Sequence, residues 1–221
     1  EGMNVDHARR NLGRLMGMQD DIRADLVSPI PDSGTSMALG YSEGAGIPFR
    51  NAVLKYTPTW PRSFMPVDQT TRSLVAKMKL IPNYGQMIDR KIVFCDDSIV
   101  RGTQLRDNVE IFRHHGAGEV HIRISCPPLV YPCPYLNFSA SKGPLEFVTR
   151  RIIQKLEGKD DAHLDEYSTF GSRRYCNMVE AIRSSLTMNS LKFNSVDNVV
   201  QAIGLPKCSL CTHCFDGSAN D

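Results

Sequence analysis

The sequence has no strong excess of either charge and no long hydrophobic run. Its 26 lysine and arginine residues nearly balance 24 aspartate and glutamate residues, which leaves a formal net charge of +2 at pH 7. A charge this small provides no general attraction to nucleic acids or to anionic membranes. No apolar stretch approaches the roughly 20 residues that span a bilayer, and no signal peptide is visible. We therefore expect a protein that binds neither nucleic acid nor membrane.

Internal repeats, low-complexity tracts and the regular cysteine spacing of a disulfide framework are also missing. The seven cysteines are an odd number and lie near other motifs, which favours reduced thiols or a metal site in a reducing, cytoplasmic compartment. The 221 residues, 41% of them hydrophobic, suffice for one domain with a sizeable extension and a packed core. Since the first residue is Glu1 and not methionine, we expect a processed product or a part of a longer protein.

Strand and helix patterns alternate through the first 140 residues. Short apolar segments predict strands at Leu26–Ile30 and Lys91–Cys95, and alternation of polar and apolar residues predicts one at Glu119–Ser125. Phe49–Leu54 is a further candidate strand. Periodic segments predict helices at Val5–Met18, 69–80 and Thr103–His115, and Gly116 suits the C-terminal cap of the last one. This order predicts an α/β fold with a mostly parallel central sheet flanked by helices.

Helical patterns dominate the second part of the chain. They predict helices at Pro144–Leu156, Ser172–Leu186 and Ser195–Ile203, and the sequence CSLCTHCFDG follows close to the C-terminus. We therefore divide the chain into a core, residues 1–140, and a helical extension with a cysteine-rich tail, residues 141–221.

Two adjacent acids, Asp96 and Asp97, follow the apolar strand KIVFC. Adjacent carboxylates repel each other, so their place at the end of a buried strand suits a sheet edge that binds a ligand. The next residues, 98–103, supply hydroxyls, Gly102 and a helix N-terminus, which together suit a phosphate group. The acids can hold ribose hydroxyls, or Mg²⁺ through water, at a fixed distance from that phosphate. An acidic turn and a helix cap would explain the two acids alone, but the whole stretch favours a sugar-phosphate site.

The sequence IVFCDDSIVRGTQ resembles the phosphoribosylpyrophosphate (PRPP) motif of type I phosphoribosyltransferases, and its form is most similar to that of the glutamine PRPP amidotransferase family. Five further segments resemble the transferase half of that family in the same order: GMNVDHARRNLGRLM, PIPDSGTSMALGYSEGAGIPF, RSFMPVDQTTRSLVAKMKL, GAGEVHIRISCPPLVYPCPY and SVDNVVQAIG. The resemblance covers about residues 1–140 and 188–217. It implies the type I phosphoribosyltransferase fold.

The resemblance implies a glycosyltransferase in which an amine displaces pyrophosphate from C1 of PRPP and gives phosphoribosylamine for purine synthesis. Asp96 and Asp97 would hold the ribose hydroxyls and Mg²⁺. Asp32 and Ser33 fall in the segment that resembles the pyrophosphate loop, where Ser33 would touch the Mg²⁺–PRPP unit. The residues that would surround the 5-phosphate are Ser98, Val100, Arg101, Gly102 and Thr103.

Basic residues lie in or beside the segment that resembles the family's flexible loop over PRPP. Lys55, Arg62, Arg72 and Lys79 would neutralise the diphosphate and exclude water, and a solvated basic loop is the alternative. Lys55 is followed by YTPTWPR, where the family usually has Asn-Arg-Tyr. This departure keeps a second hypothesis open, in which the chain is a catalytically weak regulatory module that binds PRPP or a nucleotide.

The resemblance also bears on the cysteines, because some members of the family hold a 4Fe–4S cluster. Cys133, Cys211 and Cys214 match three of its ligands, and Cys208 lies near enough in sequence to replace the fourth. Thiolates with this spacing suit iron–sulfur or zinc, with His213 as a further zinc ligand, and reduced thiols without a metal are the alternative. We expect the tail to fold back over the core and to place Cys133 near Cys211 and Cys214.

The family joins the transferase half to an N-terminal glutaminase domain whose nucleophile is a terminal cysteine. None of the seven cysteines lies at the start of this chain, so we expect it to use ammonia and not to hydrolyse glutamine, with a glutaminase domain upstream. The implied partners are PRPP and ammonia or another glutamine-derived amine. We also expect a homo-oligomer.

Overall fold

The computed structural model describes residues 2–55, 80–133, 135 and 143–218. Its helices are α1 (Val5–Met18), α2 (Thr35–Ala45), α3 (Tyr84–Met87), α4 (Thr103–His114), α5 (Val148–Glu157), α6 (Leu164–Ser168), α7 (Arg173–Ser185), α8 (Val196–Ile203) and α9 (His213–Asp216). Its strands are β1 (Leu26–Pro29), β2 (Val53–Lys55), β3 (Leu80–Pro82), β4 (Lys91–Asp96), β5 (Glu119–Ile124) and β6 (Ser190–Phe193). Short 3₁₀ turns lie at Pro144–Glu146 and Lys207–Ser209.

The central sheet has four parallel strands in the order β1-β4-β5-β6, and β2 pairs with β3 in a separate antiparallel pair. Alternation along β4 sends Val93 and Cys95 to one face and Ile92 and Phe94 to the other. Helices α1 and α2 cover the first face, and α4, α5 and α7 pack into the core on the second. The predicted α/β fold with a mostly parallel sheet is therefore confirmed.

Helices α1 and α2 lie very close together because glycines occupy their contact. A Cβ at Gly13 would lie 2.1 Å from the carbonyl oxygen of Met37, and a Cβ at Gly40 would lie 1.8 Å from that of Arg10. Any larger residue at these positions would push the helices apart. Their close packing fixes the start of α2, and hence the turn between β1 and α2.

A polar group of side chains lies between this helical layer and the sheet. Arg123 of β5 forms an ion pair with Asp20, and each side chain is only 1% exposed. Tyr41 Oη and Lys192 Nζ also donate hydrogen bonds to the Asp20 carboxylate, at 2.7 and 2.9 Å. Burial opposes ionisation of Asp20, but the hydrogen bond and charge of Arg123 prevail and hold its pKa well below the usual range. The network joins β5 and β6 to the helices.

Most predicted elements agree with the structure within a few residues. Helix α1 has the predicted bounds, while the predicted strand Phe49–Leu54 is only in part a strand, since β2 begins at Val53 and Phe49 forms an isolated bridge to Val27. The predicted helix Pro144–Leu156 is a 3₁₀ turn followed by α5. Residues 69–79 of another predicted helix lie outside the described residues, and Leu80 belongs to β3.

The strand β6 was not predicted, although it completes the sheet. It lies in the part of the chain that was read as helical, and it pairs with β5 through contacts such as Ile122 with Leu191. Helices α5 and α7 of the same part share one hydrophobic core with α4. In the described part of the chain, no helix has both the length and the apolar character needed to cross a membrane.

Candidate functional site

A cavity of about 470 Å³ lies at the carboxyl ends of β1 and β4. One wall is the turn after β1, and the other is the segment that ends β4 and begins α4. Ligands of open parallel sheets bind at this edge, beyond the carboxyl ends of the strands. The cavity is lined by Ile30, Pro31, Ser33, residues 96–105 and Asn108.

Asp96 and Asp97 stand at the end of β4. Oδ1 of Asp96 accepts a hydrogen bond from the backbone N–H of Asp97 at 2.9 Å and lies 3.5 Å from the hydroxyl of Ser33. The Ser98 hydroxyl donates to the Asp97 carboxylate at 3.3 Å. Burial raises the pKa of Asp96 to about 7, and the neighbouring Asp97 charge adds to the shift. The pair therefore favours a ligand that brings hydrogen-bond donors or positive charge.

The turn after β1 brings Ser33 across the cavity from Asp96. The backbone N–H of Ile30 donates to the carbonyl of Cys95 at 2.8 Å. Gly34 passes so close to the same carbonyl that a Cβ on Gly34 would lie 2.1 Å from its oxygen. Only glycine fits at this contact, which fixes one wall of the cavity against the other.

Lys55 and Asp32 form an exposed ion pair beside the cavity. Lys55 ends β2, and Asp32 precedes Ser33 in the turn, where the Pro31–Asp32 peptide bond is cis. Exposed ion pairs contribute little stability. A bound polyanion can therefore take the Lys55 ammonium from Asp32 at small cost.

The loop between β4 and α4 is held by residues that follow position 143. The backbone N–H of Val148 donates to the carbonyl of Val100 at 2.8 Å. Arg151 donates to the carbonyl of Arg101, and the Arg101 guanidinium forms an ion pair with Glu146. The position of this loop thus depends on α5 and on the turn before it.

Helix α4 begins directly after this loop. Gly102 at its N-cap has φ of 76°, a left-handed conformation that favours glycine. Among the described residues, no side chain caps this N-terminus, so N–H groups of the first turn are available to a ligand. With the hydroxyls of Ser98 and Thr103, which line the same cavity, these donors suit a phosphate group.

Most residues predicted for the site from sequence line this one cavity, namely Ser33, Asp96, Asp97, Ser98, Val100, Arg101, Gly102 and Thr103. Asp32 and Lys55 lie beside it, whereas Arg62, Arg72 and Lys79 lie outside the described residues. Asn108, which lines the cavity next to the core residue Val109, was not predicted. A polar residue at an inward position of an amphipathic helix is the signal that could have found it.

Known proteins match almost the whole chain. It is 35% identical over 217 residues to the amidophosphoribosyltransferase of Methanothermobacter thermautotrophicus and 33% identical over 221 residues to that of Bacillus subtilis. The solved structure of Bacillus subtilis glutamine PRPP amidotransferase, in complex with ADP and GMP, has a TM-score of 0.74 at 32% identity. The chain is a homologue of the amidophosphoribosyltransferases.

The chain corresponds to one part of these relatives, their phosphoribosyltransferase portion. Each of the two sequence matches covers 98% of the chain and 40% of the relative, and the structural match covers 98% of the chain and 42% of the solved one. A second solved structure, described as the allosteric regulatory enzyme of purine biosynthesis, has a TM-score of 0.71. No family model matches the chain. The predicted relationship to amidophosphoribosyltransferases is confirmed.

Two of the cysteines that were predicted by analogy with amidophosphoribosyltransferases are in contact. The Cys214 thiol forms a hydrogen bond with Cys133, and burial, followed by this bond, raises the pKa of Cys214 to about 12. The Cys214 carbonyl accepts hydrogen bonds from the backbone N–H groups of Val130 and Tyr131 at 3.0 and 3.1 Å. The tail therefore folds back over the segment after β5, as predicted.

Cys208 and Cys211 are exposed, and Cys208 lies in the 3₁₀ turn Lys207–Ser209. Across the part of the chain that the structure describes, no three His, Cys, Asp or Glu side chains are placed to hold a metal ion. The iron–sulfur or zinc centre predicted at Cys133, Cys208, Cys211 and Cys214 is therefore not supported by the described residues, although Cys214 interacts with both Cys133 and Cys211.

Proposed function

We propose that the chain binds PRPP together with Mg²⁺ and transfers an amine to C1 of the ribose, which yields phosphoribosylamine and pyrophosphate for purine synthesis. The observation that supports this best is one cavity lined by both the acid pair, Asp96 and Asp97, and the uncapped N-terminus of α4. Two carboxylates accept hydrogen bonds from neighbouring ribose hydroxyls, while a helix N-terminus binds phosphate. The homologues carry the name of this reaction.

In the proposed reaction the nitrogen of the amine forms a bond to C1 while the bond from C1 to the pyrophosphate oxygen breaks. The nitrogen then loses a proton, and pyrophosphate leaves with the electron pair of the broken bond. Negative charge grows on the leaving group, so fixed donors and cations near it lower the barrier. The turn that contains Ser33, with the Lys55 ammonium beside it, is the part of the site that suits this role.

The oxygen donors of the cavity fit Mg²⁺ that arrives with the diphosphate. Mg²⁺ in nucleotide and phosphate sites usually takes one or two carboxylates, substrate phosphates and water. Asp96, Asp97 and the Ser33 hydroxyl would hold it. When bound, the ion neutralises charge on the leaving pyrophosphate.

We also propose that ammonia reaches this site from a glutaminase domain, since a solved relative is named a glutamine PRPP amidotransferase. We further propose that the protein is a homo-oligomer and that it is located in the cytoplasm. A metal centre at Cys133, Cys208, Cys211 and Cys214 is not part of it, because the described residues do not assemble three ligands.

Calorimetry with PRPP and Mg²⁺ tests the site. We expect the wild type to bind, and Asp96→Asn combined with Asp97→Asn to lose affinity by about tenfold or more, because charged hydrogen-bond acceptors are removed. Asp107→Asn, which changes an exposed carboxylate outside the cavity wall, is the matched control and should bind as the wild type does. Equal affinity in the double variant and the wild type would reject the site.

Release of pyrophosphate on addition of ammonium and PRPP tests the activity. We expect release that depends on both. Binding of PRPP without release would favour the regulatory module over the transferase.

A further inference from the structure

Asn108 of α4 is a buried polar residue whose side-chain amide has no hydrogen-bond partner among the described residues. It is 7% exposed, and its side chain forms no hydrogen bond with any residue that the structure describes. An unpaired amide in a protein interior costs free energy, and nearly all such groups in native proteins have a partner. Its side-chain amide is therefore available to a ligand that enters the space it faces.

The Asn108 amide opens to the cavity of the candidate site. Within the described residues, the side-chain nitrogen and oxygen atoms that are both enclosed and unpartnered are Nε of Arg150 and Nε of Arg174. The side-chain amide atoms of Asn108 also have no partner among the described residues, yet they are not among these enclosed atoms. They must therefore border open space, and the space that Asn108 lines is this cavity. Helical side chains lean toward the N-terminus of their helix, so the amide points toward the first turn of α4.

The neighbours of Asn108 show that packing alone does not require an amide. Leu105, one turn earlier, and Val109, the next residue, are buried and belong to the hydrophobic core. An apolar residue at position 108 would extend that core without an unpaired polar group. A residue that lowers the stability of the empty protein often serves a ligand.

Building on the proposed function, we propose that Asn108 is a further ligand-binding residue of this cavity. Its amide N–H donates a hydrogen bond to the phosphate end of the bound ribose 5-phosphate unit, directly or through one ordered water. The phosphate then accepts hydrogen bonds from two places: the backbone N–H groups of the first turn of α4, and the side-chain amide of Asn108 in the second turn.

Asn108→Leu tests this inference because it replaces the amide by an apolar group of similar length. In the ligand-free chain we expect the midpoint of thermal unfolding to stay the same or to rise, since an unpaired buried amide disappears. In calorimetry we expect the affinity for ribose 5-phosphate and for PRPP to fall about tenfold, the usual effect of one hydrogen bond to a charged group. Affinity for inorganic pyrophosphate should not change, because in the proposed function the turn at residues 31–34 binds the pyrophosphate group of PRPP.

Asn108→Asp is the second variant, because it keeps the shape of the side chain and places a negative charge toward the phosphate. We expect it to weaken ribose 5-phosphate more than Asn108→Leu does. Asp107→Asn, on the exposed face of the same helix, should leave both affinities unchanged. Asn108→Ala replaces Asn108→Leu in this comparison if the leucine variant does not fold.

A leucine variant that is less stable than the wild type but binds ribose 5-phosphate equally well would give Asn108 a structural role and overturn the inference. Equal loss of affinity for pyrophosphate and for ribose 5-phosphate would also overturn it. A wild-type chain that binds neither PRPP nor ribose 5-phosphate would reject the proposed function itself. Normal wild-type binding with no effect of Asn108→Leu rejects the role of Asn108 alone.

Discussion

The backbone N–H of Asp97 donates a 2.9 Å hydrogen bond to Oδ1 of Asp96, so the second acid of the pair orients the first. The Ser33 hydroxyl approaches the same oxygen from the opposite wall, at 3.5 Å. Asp96 is thus the point at which the two walls of the cavity meet. Its protonation should influence both the stability of the empty protein and the binding of a ligand.

We expect Asp96→Asn to stabilise the ligand-free protein at pH 8. Burial, and then the charge of Asp97, raises the pKa of Asp96 to about 7, whereas an aspartate in an unfolded chain titrates near about 4. Between these values the folded state keeps a proton that the unfolded state has released, so wild-type stability falls as the pH rises through this window. The asparagine variant escapes this loss and should gain up to about 4 kcal/mol in the free energy of unfolding at pH 8, since each pKa unit corresponds to about 1.4 kcal/mol.

Urea unfolding at pH 4 and at pH 8, with EDTA present, measures this effect. The advantage of Asp96→Asn should be largely lost near pH 4, where folded Asp96 is protonated and the unfolded state holds much of its proton as well. An advantage of the same size at the two pH values would rule out titration of Asp96 as its cause.

Asp20→Asn should destabilise the protein by about 3–5 kcal/mol at pH 7, because it leaves the Arg123 guanidinium buried without a counter-charge. The pKa of Asp20 is lowered in the folded state, so its contribution is present above about pH 4 and is lost as the pH falls below that value. The difference between variant and wild type should shrink accordingly in acid. Glu43→Gln, which removes an exposed ion pair with Arg10, should have little effect in the same denaturation series.

Gly34→Ala should damage both stability and ligand binding. Its Cβ would lie 2.1 Å from the carbonyl oxygen of Cys95, so the turn that carries Ser33 must move away from β4. We expect a loss of about 2 kcal/mol or more in the free energy of unfolding, together with weaker binding of pyrophosphate. Gly85→Ala is the control, because the nearest atom to its Cβ would be 3.7 Å away; a similar loss in that variant would exclude the contact as the cause.

Thiol labelling should separate five of the seven cysteines into two groups. Cys176, Cys208 and Cys211 are exposed, whereas Cys133 is buried and the pKa of Cys214 is raised to about 12. Because the thiolate is the reactive form, iodoacetamide at pH 8 should modify the first three in the folded protein and the other two only after unfolding. Mass spectrometry of the digested protein reads out each site. Rapid labelling of Cys214 would contradict a tail held against the segment after β5.

Strand β4 was predictable from its apolar run, and strand β5 from its alternation of polar and apolar residues before two prolines. The strand β6 was not, since Ser190–Phe193 is only four residues long and two of them are polar. Its identity as a strand comes from pairing with β5, a contact between distant parts of the chain that no local pattern contains.

The segment from Asp96 to Thr103 was found from sequence because its acids, hydroxyls and glycine are contiguous. The pair Asp20 and Arg123 was not found, because each residue alone has the character of a surface charge. Only the fold places them together and removes both from water. Asn108 was missed for a similar reason, since the sequence alone does not show that this position of α4 faces the cavity.

The outer position of β6 has a consequence for synthesis on the ribosome. The edge of β5, Glu119–Ile124, has its partner only after Phe193 has emerged, because β6 is the outer neighbour of β5 in the sheet. Until then a nascent chain presents free backbone N–H and C=O groups along that edge, which can pair with another chain. Strand β6 therefore also covers the backbone groups along the edge of β5. An interruption of translation before β6 should leave a product prone to aggregation.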